Sequence, residues 1–213
     1  MDYEEKRTNL VRQLILEGRI KSKEVEKAFL EVKREEFVPD NIKHYAYIDS
    51  PLEIGHGQTI SAPHMVAIMV EGLDIKKGQK ILEIGAGSGY HAAIVSKLVG
   101  NKGHVYTIER YSSLVENAKK NLEKTRIKNV TVEIGDGSEG LQKYAPYDRI
   151  YVTCAAPDVP QPLIEQLKDN GKLMIPVGRI ICQLELIEKI KGKIHSKNLG
   201  GCAFVPLVGK YGF

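Results

Sequence analysis

Residues 80–99 read KILEIGAGSGYHAAIVSKLV, a short apolar run joined to a second apolar stretch by a loop with glycine at every second position. Few sequence features constrain a fold as tightly. Gly85, Gly87 and Gly89 let the backbone turn sharply and come close to a ligand, and the flanks predict a strand before the loop and a helix after it. A strand–turn–helix unit of this kind belongs to a parallel sheet, with the turn at the ligand-binding edge. The loop also selects its ligand. Its spacing is G-x-G-x-G, with Ala86 and Ser88 between the glycines, and not the G-x-G-x-x-G of dinucleotide sites. Glu83 lies two residues before the first glycine. A carboxylate there would repel a diphosphate and attract a cation. S-adenosylmethionine, with its sulfonium and α-amino group and no phosphate, suits the loop better than NAD.

The rest of the chain repeats the alternation. Strands are predicted at 80–84, 104–108, 130–134, 148–153 and 171–177, with helices at 89–99, 112–124 and 160–168. Right-handed crossovers then place helices on both faces of a mostly parallel, Rossmann-like doubly wound sheet. Residues 180–190 alternate apolar and polar, Gly192 permits a turn, and 193–199 return, which predicts antiparallel strands at the end. Upstream, Leu10, Val11, Leu14 and Ile15 define a helix over 3–17 ended by Gly18, Ser22 caps a second helix, and Pro39 stops the N-terminal helical segment. Residues 41–62 read as an irregular connection, long enough to suggest a function. The expected organisation is one domain over 1–213: an N-terminal helical and loop segment (1–62), a cofactor-binding core (63–178) and C-terminal antiparallel strands (179–213).

Composition narrows the function classes. A net charge of +4 on 213 residues, spread over separate Lys patches, gives no reason to expect a nucleic-acid partner. The three cysteines, Cys154, Cys182 and Cys202, form no C-x-x-C, so neither a disulfide framework nor a metal site is expected. The charged start MDYEEKRTNL has no apolar core of a signal peptide, and no window of 18 uncharged apolar residues exists, so the expected place is the cytoplasm.

Two acids continue the site. Glu109 ends the second core strand, about twenty residues past the glycine loop, where a carboxylate binds ribose hydroxyls; Arg110 follows it. Asp136 and Gly137 follow the third, where the carboxylate can accept from an adenine amino group. A further stretch, GQTISAPHM over 57–65, sets a polar run against a helix start. Pro63 suits the first helical turn and Ser61 or Ala62 the cap position, with Met65, Ile68 and Met69 facing inward.

The set Glu83-x-Gly85-x-Gly87-x-Gly89, Glu109 and Asp136 resembles the class I S-adenosylmethionine-dependent methyltransferases. Within that superfamily PLEIGHGQTISAPHM (51–65), PYDRIYVTCAAPDVPQPLIEQLKDNGKLMIPVG (146–178), FVPLVG (204–209) and REEFVP (34–39) resemble the protein-L-isoaspartate (D-aspartate) O-methyltransferases. The resemblance implies methylation of the α-carboxylate of L-isoaspartyl, or the side-chain carboxylate of D-aspartyl, residues in damaged proteins and peptides. The ester then closes to a succinimide that reopens partly to normal aspartate. It implies Ser61 as the active-site residue, Thr59 and Ile60 beside the cofactor, and Val208 in the stretch that closes over cofactor and peptide; His64 either contacts the substrate or flanks the first helical turn. A carboxylate is already a nucleophile near neutral pH, so the site has to orient it and replace its water. The Ser61 hydroxyl and free N–H groups at the helix start are suitable donors. His56 is given no role, His91 reads as a helix-surface residue, Cys154 as packing, and Asp49 and Pro51 as loop structure. A monomer is expected. The alternatives are a class I methyltransferase for another acceptor, such as RNA or a metabolite, and a cofactor-binding module without activity. Thr153-Cys154-Ala155-Ala156-Pro157 stands where an exocyclic-amine methyltransferase would carry an Asn/Asp-Pro-Pro-Tyr-like motif.

Overall fold

The computed structural model describes residues 2–179 and 181–213. Its centre is a seven-stranded sheet of order β5-β4-β3-β6-β7-β8-β9. Strands β3 (Lys80–Ile84), β4 (His104–Glu109), β5 (Val130–Ile134), β6 (Tyr147–Val152) and β7 (Leu167–Val177) run parallel. β8 (Cys182–Ile190) and β9 (Lys193–Cys202) add antiparallel to β7. The strand order reverses between β3 and β6, so their carboxyl ends open a crevice, the place where such sheets bind ligands.

Residue alternation sorts the two faces. Ile81, Val105, Tyr151 and Met174 pack with α1 (Tyr3–Leu16), α2 (Lys23–Glu31), α3 (Pro63–Leu73), α4 (Tyr90–Val99) and α5 (Ser112–Lys124) in one apolar cluster. Leu82, Ile84, Ile150 and Leu173 enter a second cluster with Leu163 of the short α6 (Gln161–Glu165). α2 begins where predicted, with the Ser22 side chain accepting from the Val25 N–H. α4 is buried nearly all round, because α2 covers the side that faces away from the sheet.

The predicted elements recur with three differences. The helix expected over 160–168 ends at Glu165, since Leu167 already pairs with Tyr147 and the strand starts there. A register shift opposite Tyr147–Arg149, with Asn170 at φ 61°, then lets the strand bend before the run 171–177. The connection over 41–62 is not irregular throughout. It holds one 3-10 turn, Asp40–Tyr45, and a hairpin of β1 (Leu52–Gly55) and β2 (Gln58–Ile60), and a second 3-10 turn, Arg34–Glu36, lies just upstream. The last strand extends to Cys202.

Arg34 ties this connection to the core. It is fully buried, its Nε donates to the Ala46 carbonyl at 2.8 Å, and its guanidinium lies 4.8 Å from the Tyr90 ring centre. Burial, the largest influence, lowers its pKa, and neighbouring Tyr90 and Asp49 oppose that shift.

Candidate active site

The crevice at the ends of β3, β4 and β6 is a pocket of about 740 Å³, counting its open mouth. Its floor is the glycine loop. Gly85 stands at φ 91°, and a Cβ there would come within 2.4 Å of Thr153 Oγ1, whose hydroxyl donates to the Gly85 carbonyl at 2.8 Å. Gly87, at φ 51°, passes under Ile54 of the β1–β2 hairpin, where a Cβ would meet Ile54 Cδ1 at 3.2 Å. Gly85, Ala86, Gly87 and Ser88 all line the pocket, whereas Gly89 lies behind them as the left-handed cap of α4.

Glu109 is buried and braces that loop. Its Oε2 accepts from the Gly87 N–H at 3.1 Å, and its Oε1 from the Arg110 and Tyr111 N–H groups at 2.8 and 3.1 Å. These bonds leave a lone pair of Oε2 at the pocket, where Arg110 also lies.

Glu83 sits deeper. It is in register with Thr107 on β4 and Tyr151 on β6, and all three are fully buried. Neither carboxylate oxygen has a well-aligned hydrogen-bond partner among the described residues. Burial pushes its pKa up to about 8, Thr107 and Tyr151 standing beside it offset this in part, and Glu109 adds repulsion. The sequence treats Glu83 as a standing negative charge; burial corrects that, because the carboxyl is mostly neutral at pH 7 until a cation reaches it. Its linkage to folding has a definite sign. Between the ordinary glutamate value of 4.5 and about 8 the folded chain binds the extra proton, so stability falls as pH rises through this range. Urea midpoints measured from about pH 5 to about pH 9 are expected to show a decline worth a few kcal/mol that Glu83→Gln largely removes.

His91 corrects a second expectation. It is buried in the pocket wall, 4.3 Å from the Tyr151 ring centre, and not on the helix surface. Burial alone lowers its pKa to about 3, so the ring is neutral. The near-uniform apolarity of 90–99 was the signal that this helix has no free face.

The polar run over 58–61 forms a further wall. Thr59, Ile60 and Ser61 line it, and no described group pairs with the Ser61 hydroxyl. Two of the helix-start donors, however, are already used. Ala62 is the cap residue and its side chain makes no bond. Pro63 has no N–H, the His64 N–H donates to Asp49 Oδ1 at 2.8 Å, and the Met65 N–H to the Ala62 carbonyl. Asp49 thus supplies from fifteen positions upstream the capping oxygen that Ala62 lacks. His64 Nδ1 also meets Asp49, at 3.0 Å, and His64 does not line the pocket. His56, given no role in sequence, stacks on Tyr111 at 4.6 Å and bonds Ser113, docking the hairpin tip on the start of α5.

The remaining wall is a C-terminal strap. Leu207 N–H donates to the Ala155 carbonyl at 2.7 Å, and Val205 to Val208 line the pocket. Asp136 does not line it, though Gly137 does. Asp136 Oδ1 accepts from the Ser138 N–H and hydroxyl, and Oδ2 from the Lys210 N–H at 2.8 Å. Burial alone would raise its pKa, but these bonds outweigh it and hold the carboxyl below its ordinary value. Its observed bonds anchor the strap and leave one acceptor site on Oδ2, the capacity that the adenine-acceptor expectation needs. Cys154 is buried in the second apolar cluster, and burial, the largest cause, raises its thiol pKa well above the ordinary range, as its reading as packing requires.

Two carboxylates, a glycine cradle and apolar walls from Ile108 and Leu207 fit a cationic nucleoside and not a diphosphate. The sequence profile described as protein-L-isoaspartate(D-aspartate) O-methyltransferase matches residues 5–212. The chain belongs to this family. Among its protein-L-isoaspartate O-methyltransferase relatives, that of Hyperthermus butylicus is 54% identical, covering 99% of this chain and 92% of the relative. That of Pyrococcus horikoshii is also 54% identical, covering 98% and 96%. A solved protein-L-isoaspartate O-methyltransferase superposes with a TM-score of 0.89 at 34% identity, over 97% of this chain and 67% of that one. A solved β-aspartate methyltransferase from Plasmodium falciparum, in complex with S-adenosyl-L-homocysteine, gives 0.84 at 28% identity, over 95% and 98%.

Proposed function

We propose that this member of the family repairs damaged proteins by esterifying the free α-carboxylate of L-isoaspartyl residues, or the side-chain carboxylate of D-aspartyl residues. The observation that carries this reading is Ser61 on the wall of the same pocket that the glycine loop and Glu109 line, within a chain that matches the family from residue 5 to 212. S-adenosylmethionine, when bound, supplies an electrophilic methyl carbon on a sulfonium and leaves as S-adenosylhomocysteine.

The protein's part is placement. Gly85 to Ser88 let the backbone approach the cofactor, with the Ala86 and Ser88 N–H groups turned to it, Glu109 takes a ribose hydroxyl with its remaining acceptor site, and Glu83 offers charge to a cation. Ser61 donates to one oxygen of the substrate carboxylate and leaves the other directed at the methyl carbon. Val208, with Leu207, excludes water from the reacting pair, which strengthens that hydrogen bond. Asp49 fixes the helix start that carries Ser61, and His64 contributes through Asp49. No general base is required, because the nucleophile is already ionised. We read the chain as one domain that works as a cytoplasmic monomer without a nucleic-acid partner. No described helix is long and apolar enough to cross a membrane.

Two synthetic peptides that differ only in carrying isoaspartate or ordinary L-aspartate test the reading. Methyl label that appears only on the isoaspartyl peptide, and is lost in mild base, is the expected result. Label on both peptides, or on total RNA, or stable to base, excludes it. Glu109→Ala is expected to raise the methyl-donor Kd by about 10- to 100-fold by calorimetry, as charged hydrogen bonds are lost at the loop and the ribose. Unchanged affinity removes Glu109 from the site.

A further inference from the structure

Cys182 opens β8 and Cys202 closes β9, and the two are direct partners in the antiparallel register. Opposed residues in such a ladder have Cα atoms about 4.5 or 5.5 Å apart and side chains on the same face. Both separations fall within the range of about 4.4–6.8 Å that disulfides span. Cys182 is buried and its thiol donates weakly to the Gly178 carbonyl at 3.6 Å. Cys202 is partly exposed and packs beside the first apolar cluster. Cys182 is near enough to help raise the Cys202 thiol, which burial chiefly pushes up to about 11. The third cysteine, Cys154, lies in the other cluster.

We propose that Cys182 and Cys202 are a modification site, a cross-strand dithiol that closes to a disulfide by exchange with a low-molecular-weight disulfide. The half-exposed Cys202 thiolate attacks the external disulfide, forming a mixed disulfide and releasing one small thiolate. The Cys182 thiolate then attacks the Cys202 sulfur, forming the internal bond and releasing the second. The two protein thiols lose two electrons and two protons, and one external disulfide becomes two thiols. Cys182 gives up only its weak bond to Gly178.

The location gives the bond a consequence. β9 is exposed along nearly all its length and, among the described residues, pairs with β8 alone, so β9 is held mainly by that ladder. Cys202 also directly precedes the strap whose residues 205–208 wall the pocket. A bond at the hairpin's open end secures both.

The test treats the purified full chain with millimolar oxidised glutathione for hours at about pH 9, since the raised thiol makes closure slow at neutral pH. Denaturation, alkylation and peptide mass mapping complete it. The expected product is a single monomeric species lacking two hydrogen atoms, with peptides containing 182 and 202 linked and Cys154 alkylated. Its melting temperature is expected to rise by about 6–10 °C and to return on reduction. Cys202→Ala, at the more exposed partner, should abolish the linkage and the rise, while Cys154→Ser should keep both. A glutathione adduct that stays on Cys202 without closing, a bond to Cys154, linkage between chains, or three alkylated cysteines would each overturn the proposal.

Discussion

Alanine at Ser61 will lower kcat for an isoaspartyl peptide by about a hundredfold and leave the methyl-donor Kd within about twofold, the pattern of a lost orienting donor. The split follows from the geometry. Ser61 is on the β2–α3 wall, while the glycine loop and Glu109, assigned to grip the cofactor, follow β3 and end β4; only Thr59 and Ile60, expected beside the cofactor, share Ser61's wall. The His64 and Met65 N–H groups are already committed to Asp49 and Ala62, so they do not stand ready to replace the hydroxyl. Water would fill the gap and hydrate the nucleophile, which raises the barrier without changing how the donor binds. Steady-state kinetics with the peptide, beside calorimetry with the cofactor, measures the two separately. Equal losses in both would show that Ser61 shapes the cofactor site and does not orient substrate.

Arg34→Ala will cost about 3–5 kcal/mol of folding stability, read as a shift in the urea midpoint. The side chain is fully buried and serves two regions of the chain at once, the carbonyls of Ala46 and Ser50 and the ring of Tyr90. Truncation leaves a cavity and orphans at least the Ala46 carbonyl. Arg34→Met refills most of the volume and should recover part of the loss, which separates the packing from the polar contribution. Both variants loosen the segment that presents Asp49 to the start of α3. Turnover at temperatures where they remain folded should therefore fall more than cofactor affinity.

The glycine loop with its flanking strand and helix was legible because its periodicity and turn chemistry are local, and the same holds for the strands at 104–109 and 130–134. The β1–β2 hairpin was not. Its strands are four and three residues long with a register shift, too short for alternation to emerge, and its tip is held by His56 against Tyr111, far along the chain. Asp49 as the cap of α3 was invisible for the same reason, since sequence rules look for a capping side chain at the cap position itself. Among the residues that line the pocket, Glu83 and Glu109 were readable from type and spacing, whereas Ser61 stood out only through the family resemblance. What burial does to Glu83, and the use of Asp136 to hold the strap, depend on strands and a chain end that meet only in three dimensions.

The pocket is assembled from pieces scattered between Gln58 and Val208, and no single strand, helix or loop supplies its walls. Ligand occupancy is therefore coupled by mass action to the complete tertiary structure. At a hundred times its Kd a cofactor adds about 2.7 kcal/mol to the folding equilibrium, and it does so for the whole cooperative unit. A melting scan with and without ligand becomes a sensor of lesions anywhere in the molecule, including ones far from the chemistry.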